Sequence, residues 1–487
     1  MRILKKLLVV LAVVALVLAG LYFYALRGHP TDRPTSATEG SDVTLVEPSQ
    51  EKIPTINILK PLGWPAGQGP KAAAGLTVTR FAEGLSHPRT MLTLPNGDVL
   101  VAETDHPPRE GGGGGLMGAI QSFFWRKAGA GDPSPNEIVL LRDANGDGVA
   151  EQRFTLRKDS LDSPSGMAWG AGKLYVANHN AVLSFDFQPG QTAITGAPTK
   201  IADLPAAGNH WMRNLILSAD GKLLYVAVGS SSNIGENGLE AEEGRAAIHE
   251  ITLATGRKRQ FAAGLRNPNG LDWNPASGEL WTTVNERDML GGDLVPDYLT
   301  NVPIGAHYGW PWYYWKKYQD DRVDLPIPQY LSEYIRKPEY ALGAHKASLC
   351  LRFVPAGTRL GAQFGNGAIV ARHGSWNRKP VSGYDVVFIP FDAQGNPKGQ
   401  PVPILSGFVK DKGAVYGRPV WVAFDKLGAL LVSDDTGGVI WRVIAPNAQP
   451  SAGVKAIPAG TPPPKRELDG AAEAQIRRQL EEAFGKQ

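Results

Sequence analysis

The sequence predicts an all-β protein, a six-bladed β-propeller preceded by one N-terminal transmembrane helix. Three observations carry this. A loop, a short apolar stretch, a turn and an apolar strand recur six times between residues 84 and 434. Helical periodicity is scarce between residues 75 and 445. The chain also opens with a basic cluster and a long uncharged run. Six such copies fit one sheet of about four strands per blade. A two-domain β-sandwich, the rival architecture, leaves six similar loops unexplained.

The elements follow in chain order. Arg2, Lys5 and Lys6 precede an uncharged run from Leu7 to Leu26. About 20 such residues cross a bilayer as a helix, and the basic end stays in the cytoplasm. Residues 1–27 are therefore expected to be an uncleaved inner-membrane anchor, with a cleaved signal peptide as the alternative. Either places the body in the periplasm. Residues 28–74 read as a polar linker and lead-in, residues 75–445 as the propeller, and residues 446–487 as a Pro/Ala-rich linker with a charged, helix-prone tail.

The six copies are Gly84–Glu103, Leu161–Asn178, Gly208–Gly229, Gly264–Val284, Gly343–Arg372 and Gly407–Asp434. Their turns are of Asn-Gly, Asp-Gly or Ser-Gly type, which favour hairpins. Two segments stand apart. Pro107–Asn136 holds five consecutive glycines and an apolar stretch with Phe123, Phe124 and Trp125. It reads as a surface excursion packed on the propeller or as an amphipathic segment lying on the membrane. Asp143, Asn145 and Asp147 alternate like calcium-loop ligands, but Phe154 stands where an EF-hand needs Glu. A structural calcium and an Asx-rich turn remain open there.

Composition excludes several classes. The 487 residues are 43% hydrophobic, and 50 Lys+Arg against 47 Asp+Glu leave +3. That balance argues against a nucleic-acid binder. The single cysteine, Cys350, excludes an internal disulfide and any cysteine-built metal site within one chain.

In a propeller the loops leading into the first strand of every blade meet at one end of the central channel. Here those loops are expected to hold His210, Arg266, Asn267, Asn269, Glu286, Arg287, Asp288, Arg372, His373, Trp376, Arg378, Tyr416 and Arg418. A cationic set of this kind suits a polyanionic small molecule, because each Arg binds a carboxylate bidentately. A histidine among them can take a proton from a hydroxyl near neutral pH. From the residues alone the reading ends at an anionic ligand and a candidate base.

Certain segments are more specific: GNHWMRNLILSADGKLLYVAVGSSSN (Gly208–Asn233), GLRNPNGLDWNP (Gly264–Pro275), VNERD (Val284–Asp288), YGWP (Tyr308–Pro311) and ARHGSWNR (Ala371–Arg378). On these the sequence resembles the glucose/sorbosone dehydrogenase family, the soluble-type pyrroloquinoline quinone (PQQ) sugar dehydrogenases. It is most similar to the sorbosone dehydrogenase-like branch, and the resemblance covers roughly residues 75 to 445.

The resemblance implies a PQQ- and calcium-dependent oxidoreductase acting on an aldose or sorbosone-like sugar at its anomeric or aldehyde carbon. Electrons would pass to a respiratory quinone or cytochrome. It implies that His210 is the general base, and that Arg266 and Asn267 lie beside the quinone oxygens, where Arg266 stabilises developing charge. Backbone carbonyls of Glu286 and Arg287 would hold the calcium, which acts as a Lewis acid. Arg372 or His373, with Arg418, would hold the PQQ carboxylates. The family's glucose enzymes keep an Asp that orients the base where this chain has Gly229-Ser230-Ser231, which leaves the partner of His210 open and disfavours glucose. Ser163-Pro164-Ser165-Gly166 stands where those enzymes carry a Gln, and His373 replaces a Lys. Two other readings compete: a non-enzymatic propeller binding a glycan or protein, and a metal-dependent lactonase.

Overall fold

The structure is a computed structural model that describes residues 2–107, 127–129, 133–206 and 208–454. It is mostly β. Strands of five to seven residues dominate, and most run apolar on both faces, as in Val99–Glu103 and Leu430–Asp434, which are buried throughout. Strands buried on both faces are what layered sheets require.

The strands form six antiparallel sheets of four or five strands, together with two short ribbons. The first strands of the six sheets are Pro88–Thr93, Gly166–Gly170, Leu215–Leu217, Asn267–Trp273, Arg352–Phe353 and Pro419–Phe424. Each sequence repeat supplies the first two strands of one sheet. No sheet closes on itself. Consecutive first strands touch one another, Pro419–Phe424 packs on the second strand of the fifth sheet, and it also meets Pro88–Thr93, so the order is cyclic. Strand Thr77–Glu83, from the N-terminal side, pairs with Val439–Ile444 and completes the sixth sheet. The two ends of the body are thereby tied within one sheet.

The apolar cores lie between consecutive sheets rather than within them. Leu100 and Leu140 meet Leu174 and Phe185 between the first and second. Tyr175 and Val182 meet Leu224 and Val226 between the second and third. Trp281 and Leu299 meet Val370 and Val387 between the fourth and fifth, with Trp281 edge-on to Phe391 at 5.3 Å. This layering positions the site: every second-to-third strand loop, and every loop leading into a first strand, emerges at the same end.

Residues 28–74 are more than a linker. Glu39–Gly40 adds a fifth strand to the fourth sheet, and Lys71–Ala72 adds one to the fifth. Helix α1 spans Arg2–Arg27. Its described side chains run unbroken only from Leu8 to Leu21, and among the described residues no helix is long and apolar enough to cross a membrane. The apolar stretch of the Pro107–Asn136 insertion and the C-terminal segment beyond residue 454 lie outside the described residues.

Candidate functional site

Gly229 ends the second strand of the third sheet and lets two side chains approach. A Cβ there would lie 2.4 Å from Asn267 Oδ1 and 2.6 Å from His210 Cβ. His210 Nδ1 sits 2.9 Å from the Ser230 carbonyl and 3.0 Å from Ser230 Oγ. A carbonyl accepts only, so Nδ1 carries the hydrogen and Nε2 is the basic nitrogen. Nε2 has no hydrogen-bond partner among the described residues. Desolvation of the ring and the charge of Arg266 pull the His210 pKa down to about 3, which keeps the imidazole neutral at ordinary pH. Ser230 thus answers the question that the Gly-Ser-Ser sequence left open.

Arg266 is held on all sides by the protein. Nε donates to the Asn233 carbonyl at 3.0 Å, and Nη2 donates to Asn233 Oδ1 at 2.8 Å and to Asp288 Oδ2 at 3.2 Å. Nη1 donates to the carbonyls of Glu286 at 2.6 Å and Asn285 at 3.4 Å. All five N–H groups are used inside the protein. In this arrangement Arg266 ties the Glu286–Asp288 loop to Asn233 and acts on His210 through its charge. Asn267 lies beside Gly229 with its amide on Asn285 Oδ1 at 3.3 Å.

In the loop expected to hold calcium, one of the two carbonyls is taken by a protein donor. The Glu286 carbonyl faces the Arg266 guanidinium, and the Glu286 carboxylate accepts from Arg287 Nε at 3.0 Å. Arg287 is fully buried and reaches the other way, to the carbonyls of Pro311 and Tyr313 and to Asp320. It anchors the YGWP turn. Arg372 is paired within the protein. Its guanidinium is bidentate to Asp385, its partner on the neighbouring strand, and also donates to Glu39, far away in sequence. In this arrangement it braces the fourth and fifth sheets.

His373 and Arg418 do converge, with a residue that sequence reading missed. His373 Nε2 is 3.0 Å from Asp435 Oδ2, and Arg89 Nη1 donates to the same oxygen. Arg89 also lies over the Trp211 ring at 5.5 Å and touches Met212, the two residues that follow His210. The sequence signal for Arg89 was available. Aligning GLSHPRT with GLRNPNG puts Arg89 at the position of Asn269, facing the axis. Arg418 lies over Tyr384 at 5.7 Å, and among the described residues its guanidinium makes one hydrogen bond, to the Leu59 carbonyl at a long 3.4 Å. Its Nε and that of Arg89 are buried without partners among the described residues. His373, Arg89 and Arg418 all lower the Asp435 pKa, so Asp435 is the carboxylate shared by the group. Two guanidiniums face one carboxylate, and Arg418 is the cation left over.

The Asp143–Glu151 hairpin lies at the opposite end of the sheets. Asp143, Asp147 and Glu151 converge there. Backbone N–H groups of Gly146, Gly148 and Ala144 already bond these carboxylates, as an Asx-rich turn requires.

A family model described as TrAA12-like matches residues 138–301 and 330–446. The chain belongs to this TrAA12-like family. Its similarity extends to a pyrroloquinoline quinone-dependent pyranose dehydrogenase of Coprinopsis cinerea, 23% identical over 441 residues, covering 78% of this chain and 55% of that protein. The holo form of the PQQ domain of a pyranose dehydrogenase from Coprinopsis cinerea superimposes with a TM-score of 0.60 at 20% identity, covering 80% of this chain and 100% of that one. The calcium structure of a Trichoderma reesei carbohydrate-active enzyme of family AA12 gives 0.61 at 20% identity, covering 77% and 96%. At such identity the likeness of a TrAA12-like chain to solved structures shows the fold. The chain spans 55% to 64% of the lengths of the curated relatives it matches. The expected kinship with PQQ sugar dehydrogenases holds at family level; none of these relatives singles out the sorbosone branch.

Proposed function

We propose that this chain is a PQQ-dependent sugar oxidoreductase, whose six sheets are the blades of a six-bladed propeller with the site at one end of its axis. The observation that carries the reading is the buried cationic surplus at Arg89 and Arg418 beside a neutral His210. Orphaned guanidinium nitrogens with one carboxylate between them suit a polycarboxylate, and PQQ carries three carboxylates. Arg418, Arg89 and His373 are the residues that would hold it. PQQ, when bound, supplies a two-electron acceptor for hydride from the substrate. His210 Nε2 would take the proton of the sugar's anomeric hydroxyl, and Ser230 fixes the ring so that this nitrogen points into the site. The Glu286 carbonyl is engaged by Arg266 in this arrangement, and no step is assigned to calcium.

The finer readings extend this one. The substrate class is an aldose or a sorbosone-like sugar oxidised at its anomeric or aldehyde carbon, and electrons leave to a respiratory quinone or cytochrome. Helix α1 is the inner-membrane anchor and the body faces the periplasm, a reading supported by the uncharged run Leu7–Leu26 behind a basic N-terminus. The test is direct. Purified protein loaded with PQQ should oxidise aldoses with a dye as acceptor, and His210→Ala should lower that rate by about 10³-fold or more with an unchanged circular dichroism spectrum. Failure of any sugar to reduce the dye sinks the proposal.

A further inference from the structure

The end of α1 is fastened directly to the body. Gly28 follows Arg27 with φ +60°, the left-handed turn that commonly closes a helix, and a Cβ there would lie 2.6 Å from Thr55. His29 N donates to Thr55 Oγ1 at 2.8 Å, and Thr55 is itself buried and held by Glu51. Thr31 N donates to the Lys379 carbonyl at 2.9 Å, and its hydroxyl donates to Asp293. The Arg33 carbonyl accepts from the buried Arg378 at 3.3 Å. One or two residues at about 3.5 Å each therefore separate the helix from its seat.

That seat is the site-bearing end. Asp293 lies in the second-to-third strand loop of the fourth sheet. Arg378 and Lys379 lie in the same loop of the fifth sheet, which also carries His373. The chain then crosses this end. Asn57 N donates to the Trp376 carbonyl at 2.7 Å, Lys60 N to Gly413 at 2.9 Å and Leu62 N to Val415 at 2.9 Å. On the way the Leu59 carbonyl meets Arg418. Three apolar side chains are left exposed along this path: Ile53 at 46%, Leu62 at 47% and Trp376 at 43%. Lys52, Lys60, Lys410 and Lys412 stand exposed among them. Scattered apolar residues are ordinary on a surface. Here they share the end at which an apolar helix, its Leu8–Leu21 side chains mostly exposed, is clamped to the body.

We propose that the site-bearing end of the molecule docks on the bilayer surface, with Ile53, Leu62 and Trp376 at headgroup level and the four lysines over anionic lipid. This rests on the reading of α1 as an uncleaved membrane anchor. Tryptophan favours the membrane–water interface, and juxtamembrane lysines favour an anionic leaflet. The mouth over His210 and Arg418 then opens toward the lipid, and an acceptor dissolved in the membrane reaches it without a soluble carrier.

The test places the full chain in nanodiscs of phosphatidylcholine with phosphatidylserine. Single-cysteine variants Leu62→Cys and Trp376→Cys carry a fluorophore on the site-bearing end. Asp220→Cys carries it on the first-to-second strand turn at the other end. Cys350 is fully buried and does not compete for label. Nitroxide lipids with the label at the headgroup should quench positions 62 and 376 at least threefold more than position 220, and replacing phosphatidylserine by phosphatidylcholine should reduce that contrast. Equal quenching at both ends, or stronger quenching at 220, overturns the proposal. Recovery of the chain in the soluble fraction overturns the anchor and the proposal together. Sugar:dye turnover of the same preparation in detergent is scored separately, so loss of the enzymatic reading is distinguished from loss of the docking surface.

Discussion

His210 shows how much chemistry one loop can set. Its tautomer is fixed by Ser230, and its charge is suppressed by burial and by Arg266. A base held near 3 stays neutral over the whole working range. The acid limb of kcat/KM for the PQQ-loaded protein should therefore not show an inflection near the ordinary histidine value of about 6.5. Finding such an inflection, lost in His210→Gln, would contradict the described environment. The sign for stability follows from the same depression. A pKa lowered by folding contributes stability that is present above about 6.5 and is lost as pH falls toward 3. Gly229 supports the same group by having no side chain. Gly229→Ala forces a Cβ into Asn267 and His210, and should cost turnover about 10²-fold through misplacement of the base. Turnover of the alanine variant at the parent rate would remove Gly229 from the account.

At the scale of elements, charge pairing across the chain decides which guanidiniums stay free. The sequence showed the loops and their cations but not the partners. Arg372 meets Glu39 and Asp385, and Arg287 meets Asp320. Glu39 lies 333 residues from Arg372, and no local pattern reveals such a pair. Arg266 differs again, because its partners are mostly backbone carbonyls, which have no side-chain signature. His210, His373 and Arg418 were legible because the six repeats align their loops. Arg89 is equally legible by that alignment, at the position of Asn269. Arg266→Ala would leave the Glu286 carbonyl without its donor and would remove one of two donors to the Asn233 carbonyl, which keeps Trp310, and the guanidinium partner of Asp288, which keeps Asn377. We expect a loss of about 1–3 kcal/mol, the cost of leaving a buried acceptor unsatisfied, read by chemical denaturation. An unchanged stability would place Arg266 outside the bracing role described here.

For the whole molecule, six similar loops, cores between consecutive sheets and closure by Thr77–Glu83 bring distant residues to one end. The fold was readable because repetition is visible in a single sequence. The strap from His29 to Leu62 was read only as a linker, since its polar composition hides the backbone bonds that seat it. The central claim is that this convergence makes a polycarboxylate site centred on Arg418. Calorimetric titration of PQQ into the intact protein tests it most directly. The account predicts saturable 1:1 binding that is weakened at least tenfold in Arg418→Ala and Arg89→Ala and is untouched in Arg372→Lys. Absence of binding, or binding indifferent to Arg418, would contradict it.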